Sequence, residues 1–165
     1  MEPTQDLDET IQERLKTDVD FRHKMLARAV QSVMTGDAEL SKSLLSQCVG
    51  AMISFKALGR ALGKKSKHVM SMLSPKGLPS SENLFKILTF LHKQEGREFD
   101  PAEAYYQRGR RRLGKGDLDG AVADLNQAIR FNPDHKRATI KRDAALEKKA
   151  TVEQTSLIRL VNSDS

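Results

Sequence analysis

The middle of the chain contains the stretch SFKALGRALGKKSKHVMSML, residues 54–73, which decides the fold. Its spacing predicts a short helix over 55–62, a turn at Gly63 and a second short helix over 66–73. Gly59 stands where the two helices would cross, and a glycine there lets their backbones approach closely. Gly63 stands at the turn, where a positive φ is cheap only for glycine. This order is typical of a DNA-reading helix-turn-helix, although helical bundles also contain short helix pairs with glycine turns.

The apolar residues of this stretch fall on one side of each predicted helix. Leu58 and Leu62 lie one turn apart on the first helix, and Val69, Met72 and Leu73 lie together on the second. Burying these five side chains together would fix the angle between the helices. The outer side of the second helix then carries the residues that we expect to face DNA bases: Lys65, Ser66, Lys67, His68, Met70 and Ser71. The expected phosphate contacts are Lys56, Lys64 and Lys76.

The charge pattern singles out the same region. The net charge of the chain is +6, but residues 42–93 alone hold nine basic residues and one acidic residue, a net +8. Such a block is the electrostatic footprint of a polyanion-binding surface, or a solvated lysine face. Lys64 follows the turn glycine, where these motifs often have an apolar residue. Either its side chain reaches outward to solvent or the turn differs from the usual one.

Helical periodicity extends over the rest of the chain and predicts an all-α fold, a helix-turn-helix bundle followed by a helical hairpin with an extra C-terminal helix. Breakers and caps delimit the other helices, which we expect at about 8–17, 20–34, 38–52, 80–93, 102–115, 118–131 and 134–150. We therefore expect the chain to consist of three segments. These are a DNA-binding domain with an acidic N-terminal helix over 1–97, a helical hairpin with its capping helix over 98–150, and a flexible tail over 151–165.

Residues 15–96 resemble the addiction-module antidote proteins, a family of helix-turn-helix antitoxins. The resemblance rests on Asp20-Phe21 before Met25-Leu26, on Thr35-Gly36-Asp37, on the run from Ser54 to Gly63, and on Val69 through Gly77 with the helix that starts at Ser80. The Leu-Ser-Pro-x-Gly sequence at 73–77 is its most specific part. The resemblance implies a homodimer that binds double-stranded DNA at its own promoter and neutralises an mRNA-cleaving toxin protein.

This chain departs from the family pattern on the second helix of the motif. The family usually has a glutamate or arginine and a tyrosine there, whereas this chain has Ser66, Lys67 and Met70. The resemblance therefore implies a base preference of its own.

Residues 102–135 resemble one tetratricopeptide repeat, a helical hairpin of about 34 residues. Its pattern of large, small, turn and breaker residues is met at Tyr105, Gly109, Gly116-Asp117, Ala121, Leu125, Ala128 and Pro133. One repeat cannot bury its own face, so we expect it to pack on helix 134–150, on the N-terminal part or on another chain. Arg110, Arg111 and Arg112 depart from the pattern, and they are either a solvated face or phosphate contacts.

The sequence does not favour an enzyme, a metal protein or a cofactor site. With 165 residues the chain is too short for a large core with a deep pocket, and its histidines lack metal-ligand spacing. Cys48 lies on an apolar helix face, as a buried structural thiol does. We expect no catalytic residues, no metal ligands and no cofactors. The polar N-terminus is not a secretory signal and no apolar run could span a membrane, so we expect a cytoplasmic protein.

Two functions remain open at this stage. The first is a sequence-specific transcriptional regulator, an antitoxin-like autorepressor, that acts as a homodimer. Residues 1–20 carry seven acidic and two basic residues and could dock a basic toxin, or could be a solvated leader. The second is a non-enzymatic adaptor that binds another protein through the tetratricopeptide-like half.

Overall fold

A computed structural model describes residues 3–163, with side chains from residue 6 onward. All regular structure in that range is α-helical, which confirms the predicted all-α class. The chain divides between Phe99 and Asp100 into two compact units. The first unit contains α1 (Pro3–Thr17), α2 (Val19–Thr35), α3 (Ala38–Met52), α4 (Phe55–Ala61), α5 (Ser66–Leu73) and α6 (Ser81–Gln94). The second contains α7 (Pro101–Gly114), α8 (Leu118–Phe131) and α9 (Lys136–Ser163).

Side-chain caps set the starts of the helices in the first unit. Asp18 accepts from the Phe21 amide at 2.9 Å, and Asp37 accepts from the Leu40 amide at 3.0 Å. These bonds satisfy amides that have no partner inside the helix. Gly36 ends α2 with a φ of +78°, the left-handed conformation that glycine adopts most readily. Local sequence therefore fixes where α2 ends and α3 begins.

The core of the first unit lies between α1, α2, α3 and α6. Its large apolar side chains are almost completely shielded from solvent: Leu15, Leu26, Leu45, Val49, Phe85, Leu88 and Leu91. The short helices α4 and α5 pack on each other and against α3. The bundle thus supports the helix pair from one side and leaves its other side open to solvent.

The second unit is a tight hairpin of α7 and α8, with α9 packed on α8. Gly109 makes the close approach possible, because a Cβ added there would lie 3.0 Å from Cγ of Leu125. Ala138 and Ala145 are the buried residues of α9. The α7–α8 hairpin therefore buries part of its surface on the helix that follows it in the chain.

The end of the chain differs from the sequence prediction. The sequence predicts a helix end at residue 150 and a flexible tail over 151–165, but α9 continues to Ser163, and residues 164–165 lie outside the described residues. The prediction of that boundary is wrong because neither proline nor glycine interrupts 136–163. Hydroxyl groups also bond back to the helix, since Thr151 donates to the Glu147 carbonyl at 3.0 Å and Thr155 donates to the Thr151 carbonyl at 2.9 Å.

Candidate nucleic-acid interface

The crossing of α4 and α5 depends on Gly59. A Cβ at this position would lie 2.7 Å from the Lys64 carbonyl oxygen and 3.1 Å from the Ser66 amide nitrogen. Both of these are backbone atoms, so no side-chain rotation could make room. Gly63 has a φ of +64°, and the amide of Lys64 closes the turn on the Gly59 carbonyl at 2.8 Å. The predicted roles of both glycines are confirmed.

Four of the five apolar residues predicted to lock the two helices together are buried. Leu58 and Val69 are fully buried, and Met72 and Leu73 nearly so, whereas Leu62 is only half-buried. Burial of these side chains fixes which side of α5 faces outward. The orientation of the motif follows from its own apolar pattern.

The structure leaves most of the predicted base-facing residues exposed. Lys65, Lys67, His68, Met70 and Ser71 are exposed, and Met70 keeps 53% of its surface. Ser66 is half-buried because its backbone lies against Gly59, so its outward reach is smaller than predicted.

The amino end of α5 adds no side-chain acceptor of its own. Lys65 occupies the N-cap position and makes no side-chain capping bond, unlike Ser54, which caps α4. Because no side chain accepts a hydrogen bond from the amides of the first turn, these amides can donate to a bound anion. Positive charge and backbone amides therefore coincide at this end of α5.

The predicted phosphate contacts separate into two kinds. Lys56 on α4 and Lys76 after α5 are exposed, whereas Lys64 is half-buried beside the α4–α5 crossing. Over residues 6–163, no ion pair involves any of the five lysines at 56, 64, 65, 67 and 76. We refer to these five lysines as the α5 lysine surface. Their charges are not neutralised by a described carboxylate, so they are available to an anionic ligand.

Not every lysine of the basic block contributes to that surface. Lys42 is buried, and its ammonium donates to the Pro75 carbonyl at 2.7 Å and the Gly77 carbonyl at 3.1 Å. Glu39 contacts the same ammonium at 2.7 Å. These hydrogen bonds from Lys42 link the loop after α5 to α3. In the sequence, Lys42 is one of the nine basic residues of the 42–93 block, and only the apolar residues at 44 and 45 indicate that it lies near the core.

Gly77 explains the Leu-Ser-Pro-x-Gly sequence in physical terms. A Cβ at Gly77 would overlap the carbonyl groups of Ser71 and Met72 at the end of α5. The loop must therefore pass directly over the helix terminus, which no larger residue allows. This turn holds Lys76 beside α5 and leaves Leu78 with 96% of its surface exposed.

The arginines of α7 do not form a second surface of this kind. Arg112 is half-buried and lies 3.2 Å from Oδ2 of Asp124 and 3.6 Å from Oδ2 of Asp117. Arg110 is exposed and donates to Gln107 at 3.2 Å, and Arg111 is exposed. The three adjacent arginines therefore have three different environments.

The sequence pattern does not predict the shortest ion pair of this unit, which joins Arg108 to Asp124 at 2.6 Å. Arg108 binds the buried Asp124 through two hydrogen bonds, of 2.8 and 2.6 Å. The two residues are 16 positions apart in sequence, one on each helix of the hairpin. No local pattern pairs an arginine with an aspartate at that distance.

Burial shifts the pKa of two further groups, Cys48 and His92. Burial raises the pKa of the Cys48 thiol to about 12, so at neutral pH it is protonated and unreactive. Burial lowers the pKa of His92, whose Nδ1 lies 2.8 Å from the Leu88 carbonyl. No group of three potential metal ligands occurs over the described part of the chain.

Comparisons with known proteins give no match: no family model, curated protein or solved structure is similar to this chain. Among the described helices, none is long and apolar enough to cross a membrane.

Proposed function

We propose that this protein is a sequence-specific DNA-binding regulator that reads the major groove with α5. The observation that carries the proposal is the α5 lysine surface, whose charges lack described carboxylate partners and surround a helix pair locked at Gly59. A solvated lysine face needs no such rigid support. A groove-reading helix does, because base contacts require a fixed orientation relative to the phosphates.

The dimensions of α5 suit a major groove. Its eight residues span about 12 Å, and the groove is about 12 Å wide. Lys65 and Lys67 can donate to guanine O6 and N7, and the exposed Met70 can contact a thymine methyl group. Lys56, Lys64 and Lys76 would hold the phosphates on either side, with Lys64 contributing through the part of its side chain that reaches solvent.

The resemblance to addiction-module antidote proteins adds a cellular role to this proposal. In that interpretation the protein is a cytoplasmic autorepressor that binds its own promoter as a homodimer and neutralises a toxin. The acidic residues near the N-terminus are the proposed docking segment for a basic toxin. Exchanging the exposed Asp6, Asp8, Glu9 and Glu13 for Asn and Gln should weaken toxin binding while Leu15 stays in the core and Asp18 still caps α2. An unchanged affinity would contradict this part.

Titration of the full chain against its upstream DNA and a scrambled duplex, at several salt concentrations, tests the DNA proposal. We expect a preference of about 1,000-fold or more for the upstream DNA and a steep salt dependence. Lys67→Ala should alter the sequence preference. Lys76→Ala should weaken all duplexes alike and lower the salt slope by about one.

Two results would overturn the assignment of α5 to the groove. One is equal, weak binding to both duplexes, and the other is upstream binding that neither substitution affects. Absence of binding at low salt would instead favour the adaptor function and direct attention to α7–α9. Lys86→Ala is the matched control, because Lys86 is exposed but pairs with Glu82 at 2.8 Å on α6.

A further inference from the structure

The loop that joins α5 to α6 is held at both ends by its own hydrogen bonds. We refer to residues 74–80 as the α5–α6 loop. The Gly77 amide donates to the Ser74 carbonyl at 2.9 Å and closes a tight turn directly after α5. Ser80 accepts from the Asn83 amide at 3.2 Å and caps the start of α6. The backbone therefore leaves one helix and enters the next with a fixed geometry.

A buried cation holds the middle of the α5–α6 loop. Lys42 on α3 keeps only 3% of its surface and donates to the carbonyls of Pro75 and Gly77, at 2.7 and 3.1 Å. Hydrogen bonds from a charged donor are roughly twice as strong as those from a neutral donor. The backbone of Gly77 also lies directly on the carbonyl groups at the end of α5, where a Cβ would overlap them. The backbone around Lys76 is therefore fixed.

Two side chains of this rigid loop project into solvent. Lys76 belongs to the α5 lysine surface and is exposed. Leu78 keeps 96% of its surface, more than any other large apolar side chain of the described residues. Leu78 therefore adds nothing to the core. Because its backbone is already fixed, contact with a ligand through Leu78 costs little of the ordering entropy that a mobile loop would lose.

We propose that Leu78 is a second DNA-contacting residue, which enters the minor groove beside the major-groove site of α5. The inference rests on the proposed DNA-binding function and adds to it a contact outside α5. The eight residues of α5 span about 12 Å, which is also about the width of the major groove. The carboxyl end of α5 therefore reaches one of the two sugar-phosphate strands that border the groove, and the α5–α6 loop begins there.

The order of residues in the loop matches the order of surfaces across that strand. Lys76 comes first, and as the proposed phosphate contact it draws the strand onto the loop by charge. Leu78 follows two residues later, at most about 7 Å farther along the chain. The minor groove lies on the far side of the strand, so it is the part of the duplex next to Leu78.

The chemistry of leucine suits this groove. The minor groove is only about 6 Å wide, and proteins that bind it often insert an apolar side chain such as leucine. An aliphatic side chain cannot read the base edges through hydrogen bonds. Leu78 should therefore respond to the width of the groove and to the deformability of the flanking base steps, rather than to the identity of one base pair.

Titration of the full chain against its upstream duplex at several salt concentrations tests the proposal. Leu78→Ala should lower the affinity about tenfold, because the contact loses the apolar surface of one leucine. It should leave the salt slope unchanged, because no phosphate contact is removed. Ile140→Ala is the matched control, since Ile140 is 67% exposed on α9, and it should leave both quantities unchanged. Circular dichroism should show the same helix content in all three proteins.

Hydroxyl-radical footprinting of the same complexes locates the contact. These radicals attack deoxyribose hydrogens that line the minor groove, so a side chain in the groove protects the sugars beside it. The wild-type chain should protect minor-groove sugars next to the α5 site. Leu78→Ala should lose that protection, and Ile140→Ala should keep it.

A double-mutant comparison tests the role of the rigid loop. Lys42→Met removes the donor to the two loop carbonyls and so releases the backbone that carries Leu78. In this background, at a temperature at which all variants are folded, Leu78→Ala should lower the affinity less than about threefold, because both substitutions act on one contact. In a Lys86→Met background the full loss should remain, because Lys86 lies on α6 outside the loop. Losses of equal size in both backgrounds would contradict the role of Lys42.

The outcomes separate this inference from the function on which it rests. Specific upstream binding that Leu78→Ala weakens less than about twofold would overturn the inference and leave α5 assigned to the major groove. A loss of affinity with intact minor-groove protection would also overturn it, because Leu78 would then contact another surface. Equal, weak binding of the upstream and scrambled duplexes would overturn the proposed function, and this inference with it.

Discussion

The α5 lysine surface and the α7–α8 hairpin both contain clusters of basic residues, but they use the charge differently. Around α5, the five lysines have no described carboxylate partner. In the hairpin, Arg108 and Arg112 both reach the buried Asp124, at 2.6 and 3.2 Å. Paired charge of this kind orients two helices and contributes little to an outside ligand. Net charge alone therefore does not locate a binding surface.

The largest effect should come from breaking the paired cluster. Asp124→Ala leaves two guanidinium groups without their shared carboxylate, which we expect to destabilise the second unit by about 3 kcal/mol. Tyrosine fluorescence during urea unfolding measures this, because both tyrosines, Tyr105 and Tyr106, lie on α7 and the chain has no tryptophan. Asp134→Ala, at an exposed position, should change the midpoint little. Equal midpoints for the two variants would show that the pair is not structural.

The buried lysine of the first unit should behave like the paired arginines. Lys42→Met removes the donor to Pro75 and Gly77, and leaving those carbonyls unsatisfied should cost about 2 kcal/mol. Lys86→Met removes an exposed ion pair and should cost less than about 0.5 kcal/mol. Thermal unfolding, monitored by circular dichroism, distinguishes the Lys42→Met variant from the Lys86→Met variant. A similar loss of stability in both variants would contradict the proposed role of Lys42 in linking the loop to α3.

A pair of glycine substitutions tests the rigidity under the α5 lysine surface. Gly59→Ala forces a Cβ against the Lys64 carbonyl and should destabilise the first unit by about 1.5 kcal/mol. Gly50→Ala on α3 meets only Oε1 of Gln12 at 3.5 Å and should stabilise the helix by about 0.5 kcal/mol. Urea unfolding should therefore shift in opposite directions. A midpoint for Gly59→Ala that equals or exceeds the wild-type value would show that the crossing is not tight.

The smallest effect concerns pH. The pKa of His92 is lowered mainly by burial, so the unfolded chain binds the proton more readily than the folded chain does. Stability should therefore fall as pH drops through about 6.5, the ordinary histidine value. His92→Gln should reduce that dependence between pH 7.5 and 5.5. An equally steep dependence in the variant would assign the effect to another group.

The sequence carried enough information for the helices and for the inner and outer sides of α5. Caps such as Asp37 and Ser80, and breakers such as Gly36 and Gly63, act within a few residues and are visible in the chain. The outer position of Lys67 followed from the apolar residues on the opposite side of the same helix. Local rules of capping and periodicity were sufficient there.

Long-range partners were not predictable in the same way. Lys42 meets Pro75 33 residues later, and Arg108 meets Asp124 across a helical hairpin. Nothing in the local pattern of either residue distinguishes a buried, paired cation from a solvated one. The length of α9 was missed for a different reason. The position at the chain end predicts a flexible tail, although no proline or glycine there stops the helix.

Removing two charges from each region tests the central claim most directly. Lys65→Ala with Lys67→Ala is compared with Arg110→Ala with Arg111→Ala, in titrations of the same upstream duplex at several salt concentrations. Arg110 and Arg111 are also exposed and have no ion pair among the described residues, but they lie on α7, so the comparison tests the location of the charge. We predict that the lysine pair lowers affinity at least about tenfold and reduces the salt slope by about two, while the arginine pair changes affinity less than about twofold. Equal losses, or a larger loss from the arginines, would contradict the assignment of the DNA-binding surface to α5.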